Sequence, residues 1–183
     1  GTAGAGYGAT TANLKGGLGS ASAVTSRGHI VGALVAVNAL GQATIGSGPE
    51  FWAGPYERDG EFGGRGWPAA LPPDALACRL KGDGQQNTTI AIVATDAALS
   101  KPQCRRLAVQ AHDGLAHALR PAHAALDGDL VFAAATGASP QGAGMRDLTE
   151  LGMIAADCLA RAIARAVAEA RALPFPGALP DWR

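Results

Sequence analysis

The chain has 183 residues, and its 15 Lys plus Arg balance 15 Asp plus Glu, so the formal charge is zero. That length fits one domain with a real core, and the neutral balance argues against nucleic acid or an anionic membrane as partner, because both need a basic surface. Aromatics make up only 5% while glycines number 26, so the core must be built from Ala, Val, Leu and Ile with backbones packed close together.

Three cysteines, Cys78, Cys104 and Cys158, are widely spaced and form no CxxC. A reducing, cytoplasmic compartment is the expectation. No apolar run reaches the length of a membrane span, and no charged-then-apolar leader opens the chain. The opening GTAGAGYGAT lacks Met, which leads us to expect a segment upstream of residue 1.

In chain order, residues 1–22 are mostly small, with a weak strand near 14–26. Residues 28–38, GHIVGALVAVN, read as a buried strand. A polar, Pro/Gly-rich stretch follows over 46–87, longer than ordinary loops and therefore expected to be functional or flexible. Residues 88–95, TTIAIVAT, form the second strong strand. Ser100 is placed to cap a helix with Pro102 in its first turn, and Leu107, Ala111, Leu115 and Ala118 continue at helical spacing. Residues 130–136, LVFAAAT, make a third strand. A last helix is predicted over 146–171, with the apolar stripe Leu148, Leu151, Ala155, Leu159, Ile163 and Val167. The pattern is α+β, or a sandwich with helices outside. Four or five strands are few for a closed core, which again points to upstream residues or a partner chain.

The candidate chemistry is sparse. GAGYGA at 4–9 imitates a dinucleotide fingerprint, but no strand precedes it and its third glycine is misplaced. A tight backbone path is the better reading. His29, His112, His117 and His123 have no ligand spacing, and no GxSxG is present. No metal or cofactor is expected. In LDGDLVF at 126–132, Asp127 and Asp129 are two apart on an extended segment and so share a face. They are either turn chemistry or carboxylates that orient a nucleophile. Lys15, alone among small residues in NLKGGLGSASA, is either a surface lysine or a cation held near an amine whose pKa it lowers. Finally, Asn87-Thr88-Thr89 puts two hydroxyls at the joint between the long loop and a buried strand.

Five separated segments carry a resemblance in one consistent order: ATTANLKGGLGSASA, the AVNALG around Asn38, FWAGPYERDGEFGG, NTTIAIVATDAALSKPQCRRLAVQAHDGLA and DGDLVFAAATG. Together they resemble the L-aminopeptidase/D-Ala-esterase peptidase family, which includes β-aminopeptidases and nylon-oligomer hydrolases. The resemblance runs from residue 4 to about residue 170. It implies a four-layer αββα sandwich like that of N-terminal-nucleophile hydrolases. It also implies a single domain over 1–183, lacking an upstream β-rich segment that carries a Tyr used near the oxyanion. The precursor in this family cuts itself once. The matching cut lies between Asn87 and Thr88, which divides the chain into 1–87, the end of an α chain, and 88–183, a β chain.

The resemblance assigns the remaining roles. Thr88 becomes nucleophile and new amino terminus, and its freed α-amine, titrating near about 7.7–8.0, is the base. Asn38 matches the oxyanion donor. Lys15, Asp127 and Asp129 match polar residues around the nucleophile in the nylon-hydrolase branch. The β-aminopeptidase branch has Ser and Glu at the two Asp positions. The implied activity is hydrolysis of small amides or short peptides, nylon-type oligomers among them, without a cofactor. The implied partners are the cleaved fragment and further copies, as a tetramer of cleaved protomers, with no nucleic acid and no membrane. Two alternatives stay open: an unprocessed, non-catalytic oligomeric homologue, and an acyltransferase of the ornithine acetyltransferase type.

Overall fold

The computed structural model describes residues 1–82 and 87–183. Four strands form one sheet in the order β1-β2-β3-β4: β1 Gly17–Val24, β2 Ile30–Val37, β3 Ile90–Thr95 and β4 Leu130–Ala135. The first three run antiparallel to their neighbours, and β3 pairs with β4 in parallel. A parallel pair needs a long crossover. Here it is made by α1 (Lys101–Ala111) and α2 (Asp113–Ala118). The third helix, α3 (Met145–Ala168), packs on β1 and β2, with α1 and α2 lying against it.

Each element has a local cause. The β1–β2 turn closes with Thr25 N–H on the His29 carbonyl at 2.8 Å, and Gly28 takes the positive φ of 85° that this turn requires. At the start of α1, the Ser100 N–H and hydroxyl both donate to Gln103 Oε1 at 2.8 Å. The helical spacing from Leu107 to Ala118 is kept, but it is split in two at His112. All six residues of the predicted α3 stripe are buried. Each buried Leu or Ile contributes roughly 1.5–3 kcal/mol. The helix ends at Ala168, short of the expected residue 171.

The glycine-rich composition explains the close packing. A Cβ on Gly19 would lie 2.1 Å from the Ala162 carbonyl oxygen, so β1 can approach the α3 backbone only because that side chain is missing. The helix-facing side of the sheet is Ala21, Ala23, Val31, Val35, Ala91 and Val93, a core of small and branched aliphatics, as the scarcity of aromatics requires.

The α+β class agrees with the sequence. Among the described residues there are two layers, one sheet and one helical side, which is half of a four-layer sandwich. The opposite sheet face is apolar and open: Ile30, Leu34, Ile90, Ile92, Leu130 and Phe132 are all exposed. The connection expected over 46–87 is largely irregular, with a short 3-10 turn at Gly54–Tyr56. It is nevertheless packed: Phe51 and Phe62 meet edge to face at 5.4 Å, and both lie in the core. Its residues 83–86 lie outside those described. No described helix is long and apolar enough to cross a membrane. Cys78, Cys104 and Cys158 are free thiols.

Candidate active site

Strand register assembles the site. Ala36 of β2 faces Ile90 of β3. Continuing that antiparallel register by two residues sets Asn38 opposite Thr88, and the Thr88 N–H indeed donates to the Asn38 carbonyl at 2.9 Å. Ile90 faces Leu130 across the parallel pair, and the same continuation sets Gly128 beside Thr88. A Cβ on Gly128 would be 2.8 Å from Thr88 Oγ1. Asn38, Thr88 and Gly128 thus lie abreast at one end of the sheet.

The two threonine hydroxyls part company here because side chains alternate along a strand. Thr89 is fully buried, and its Oγ1 has no hydrogen-bond partner among the described residues. Thr88 is half-buried, and its hydroxyl donates to the carbonyl oxygen of Asn87. That carbonyl also accepts the Gly128 N–H at 3.2 Å. The oxygen placed on the Asn87–Thr88 peptide is therefore that of Thr88.

Asp127 and Asp129 are brought together just before β4. Asp127 accepts the Leu40 N–H and the Gly128 N–H, each at 3.1 Å. Asp129 accepts the Thr89 N–H at 3.0 Å and the His123 N–H at 3.4 Å. Burial raises the Asp127 carboxyl above the usual carboxylate range, and the charge and hydrogen bond of Asp129 push the same way, against the two N–H donors. Asp127 therefore keeps its proton longer, while Asp129 is tied to the residue before β3 through the Thr89 N–H.

Lys15 reaches the same end of the sheet but spends its donors elsewhere. Only 1% exposed, its ammonium donates to the carbonyls of Gly6, Ala9 and Gly16 at 2.9, 2.7 and 2.8 Å. An ammonium has three N–H donors, so these three bonds to backbone occupy all of them. Burial lowers its pKa. The GAGYGA stretch, read above as a tight backbone path, supplies part of this cage through a 3-10 turn at Gly4–Gly6. The cage sits next to Thr10, whose N–H donates to Asn38 Oδ1 at 3.1 Å.

Another lysine stands at the site. Lys81, in the long connection, is 6% exposed and donates to Asn38 Oδ1 at 2.8 Å. Burial lowers its pKa to about 8, against the attraction of Asp127. Sequence reasoning passed over it because its only mark was being a lone Lys in a Pro/Gly-rich stretch. His123, read from the sequence only as a histidine without ligand spacing, stands beside Asp129: its ring sits 5.2 Å from that of His112, and its Nδ1 lies 3.9 Å from Asp129.

Among the described residues, no three His, Cys, Asp or Glu side chains converge as metal ligands. A cleft of about 390 Å³ between the long connection and the end of α2 is lined by Trp52, Cys78 and Arg120 among others, and by none of the candidate residues. A groove of about 310 Å³ on the open sheet face includes Ala36, Ile90, Ile92 and Phe132. Thr88 shares this face with Ile90 by strand alternation.

Comparison with known proteins bears on the fold and the family. Uncharacterized aminopeptidases of Mycobacterium bovis and Mycobacterium tuberculosis are each 44% identical to the chain over 197 residues, covering 100% of it and 56% of their own length. The chain thus spans little more than half of these relatives. A β-aminopeptidase of Burkholderia sp. superposes with a TM-score of 0.62 at 25% identity, over 96% of this chain and 48% of that one. The L-aminopeptidase D-Ala-esterase/amidase of Ochrobactrum anthropi, described as a new variant of the Ntn hydrolase fold, superposes with a TM-score of 0.64 at 24% identity, over 97% and 48%. The model of peptidase family S58 matches residues 1–177, and the chain belongs to that family.

Proposed function

We propose that this chain carries the cleavage site and nucleophile of a self-cleaving N-terminal-threonine hydrolase, an aminopeptidase or amidase acting on short peptides or small amides. The observation that carries this reading is the Thr88 hydroxyl lying on the Asn87 carbonyl, while the Thr88 N–H is held by Asn38. In the cut, Thr88 Oγ adds to the Asn87 carbonyl carbon and the C–N bond breaks. The hydroxyl proton ends on the departing nitrogen. This leaves an Asn87 ester on Thr88 Oγ and a free α-amine. Water then adds to the ester, giving the Asn87 carboxylate and the Thr88 hydroxyl. The Gly128 N–H, already on the Asn87 oxygen, stabilises the charge that develops there.

The freed amine is then the base for substrate turnover. Its ordinary pKa of about 7.7–8.0 lies close to working pH. Asn38 donates to the substrate oxyanion, and Asp127 and Asp129 fix the strand ends beside the nucleophile. The cut leaves one fragment that ends at Asn87 and one that begins at Thr88. The open apolar face of the sheet supports a working assembly in which further protein covers it, either an upstream segment or further copies. Nylon-type oligomers fall within the proposed substrate class, on the strength of the Asp pair.

Intact mass under denaturing conditions tests this reading. The parent should give two species divided at 87/88, Thr88→Ala should stay one chain, and Thr88→Ser should still divide. A divided Thr88→Ala protein would overturn it.

A further inference from the structure

We propose that Lys81 is a positioning residue for the hydrolysis: it grips the Asn38 amide by its oxygen, so that the N–H end is oriented and polarised as the oxyanion donor. The inference rests on the function proposed above and adds a residue to it.

Among the described residues, two donors hold the oxygen of the Asn38 amide. Its Oδ1 accepts the Lys81 ammonium at 2.8 Å and the Thr10 N–H at 3.1 Å. An amide whose oxygen is doubly held cannot flip without orphaning both donors. One of the two is a cation, and charge-assisted hydrogen bonds are roughly twice as strong as neutral ones. Drawing electron density to the oxygen makes the N–H a better donor, by the same polarisation that strengthens hydrogen-bonded chains.

The geometry around Lys81 serves this task. Its own N–H donates to the Leu40 carbonyl at 2.8 Å, and the Leu40 N–H donates to Asp127. One residue, just past Asn38, therefore anchors both the lysine and the carboxyl facing it. Among the described residues, Asp127 is the charged group acting on Lys81, and Asp129 acts in turn on Asp127. Burial leaves the lysine with a pKa of about 8. It is cationic below that pH and neutral above, so polarisation of Asn38 fades as pH rises through this range. The freed amine imposes the opposite requirement, because it must be neutral to act as base. Lys81 therefore sets an alkaline limb and the amine an acid limb.

The test uses processed protein at its natural length and a panel of amino-acyl p-nitroanilides, with kcat and KM measured from neutral to alkaline pH. The parent kcat should fall as pH rises through about 8. Lys81→Met, similar in length and apolar, should lack that limb and turn over roughly tenfold more slowly at neutral pH, with KM little changed. Lys81→Arg keeps its charge and should move the limb upward, out of range. An alkaline limb that survives unchanged in Lys81→Met or Lys81→Arg, or a parent profile flat through this range, overturns the inference alone. A parent that hydrolyses no member of the panel overturns the proposed function and the inference with it.

Discussion

Asn38 and Thr88 face each other across the ends of β2 and β3, joined by the Thr88 N–H on the Asn38 carbonyl oxygen at 2.9 Å. That bond uses the Asn38 backbone, so its side chain is left to other work. Its Oδ1 holds Thr10 and Lys81. Backbone and side chain of one residue thus serve two purposes: one holds the Thr88 N–H, the other accepts from Thr10 and Lys81. Asn38→Ala should keep the first and lose the second. The variant should fold, and kcat should fall by about 10²–10³, the usual loss for one oxyanion donor. Steady-state kinetics on a small amide checks this, and an unchanged kcat removes Asn38 from the role.

Gly128 offers a sharper probe of the cut itself. An added Cβ would lie 2.8 Å from Thr88 Oγ1. The atom it meets ends a rotatable side chain, so the fold should adjust by turning Thr88 to another rotamer. That takes the hydroxyl off the Asn87 carbonyl. Gly128→Ala should therefore melt close to the parent yet divide at 87/88 far more slowly. A time course of intact mass beside a thermal melt separates the two effects, and division at the parent rate would show that Thr88 does not need the space.

Much of this arrangement could be read from residue order, and the reasons differ by element. The α3 stripe and the alternating strands are local periodicities, so they survive in the sequence alone. So does the joint at Thr88, where a loop composition meets a β-branched run. What sequence lacks is register. Nothing local shows that Asn38 continues opposite Thr88, or that Gly128 stands on its other side. Lys81 illustrates the same gap: its burial and its bond to Asn38 depend on where a long irregular connection folds back. Lys15 shows the reverse case, in which a residue type was legible but the direction of its donors was not.

The Asp pair should divide its labour. Asp129 carries two backbone N–H donors, from Thr89 and His123. An amide in its place would turn an N–H toward one of them, so Asp129→Asn should lose rate at every pH. Asp127 already holds its proton above the usual range because of burial, with Asp129 adding to the effect. A carboxyl with a raised folded pKa stabilises the fold most at acid pH, and that contribution is lost as pH rises through the folded value. Asp127→Asn, which mimics the protonated form, should therefore gain stability relative to the parent on moving from acid to neutral pH. Urea midpoints across that range check the sign; a constant difference between the two proteins would mean Asp127 titrates normally.

Lys15 can be tested for structure and for catalysis in one variant. Its three carbonyl acceptors lie in a buried pocket of the backbone. Lys15→Met strips all three of their charged partner, and each buried acceptor left unsatisfied costs roughly 1–3 kcal/mol. A clear drop in the urea midpoint at neutral pH is expected. The drop should grow as pH rises toward the ordinary lysine value. Burial lowers the folded pKa of Lys15, so in that window the unfolded parent holds a proton that the folded parent has released, and the parent gains stability that the Met variant cannot. Catalysis adds a separate readout. A cation near the Thr88 amine favours its neutral, base-competent form. Removing that cation should raise the apparent pKa of the acid limb of kcat in processed enzyme. A lowered midpoint with an unmoved acid limb would confine Lys15 to holding the Gly6–Ala9 turn in place beneath Thr10 and Asn38.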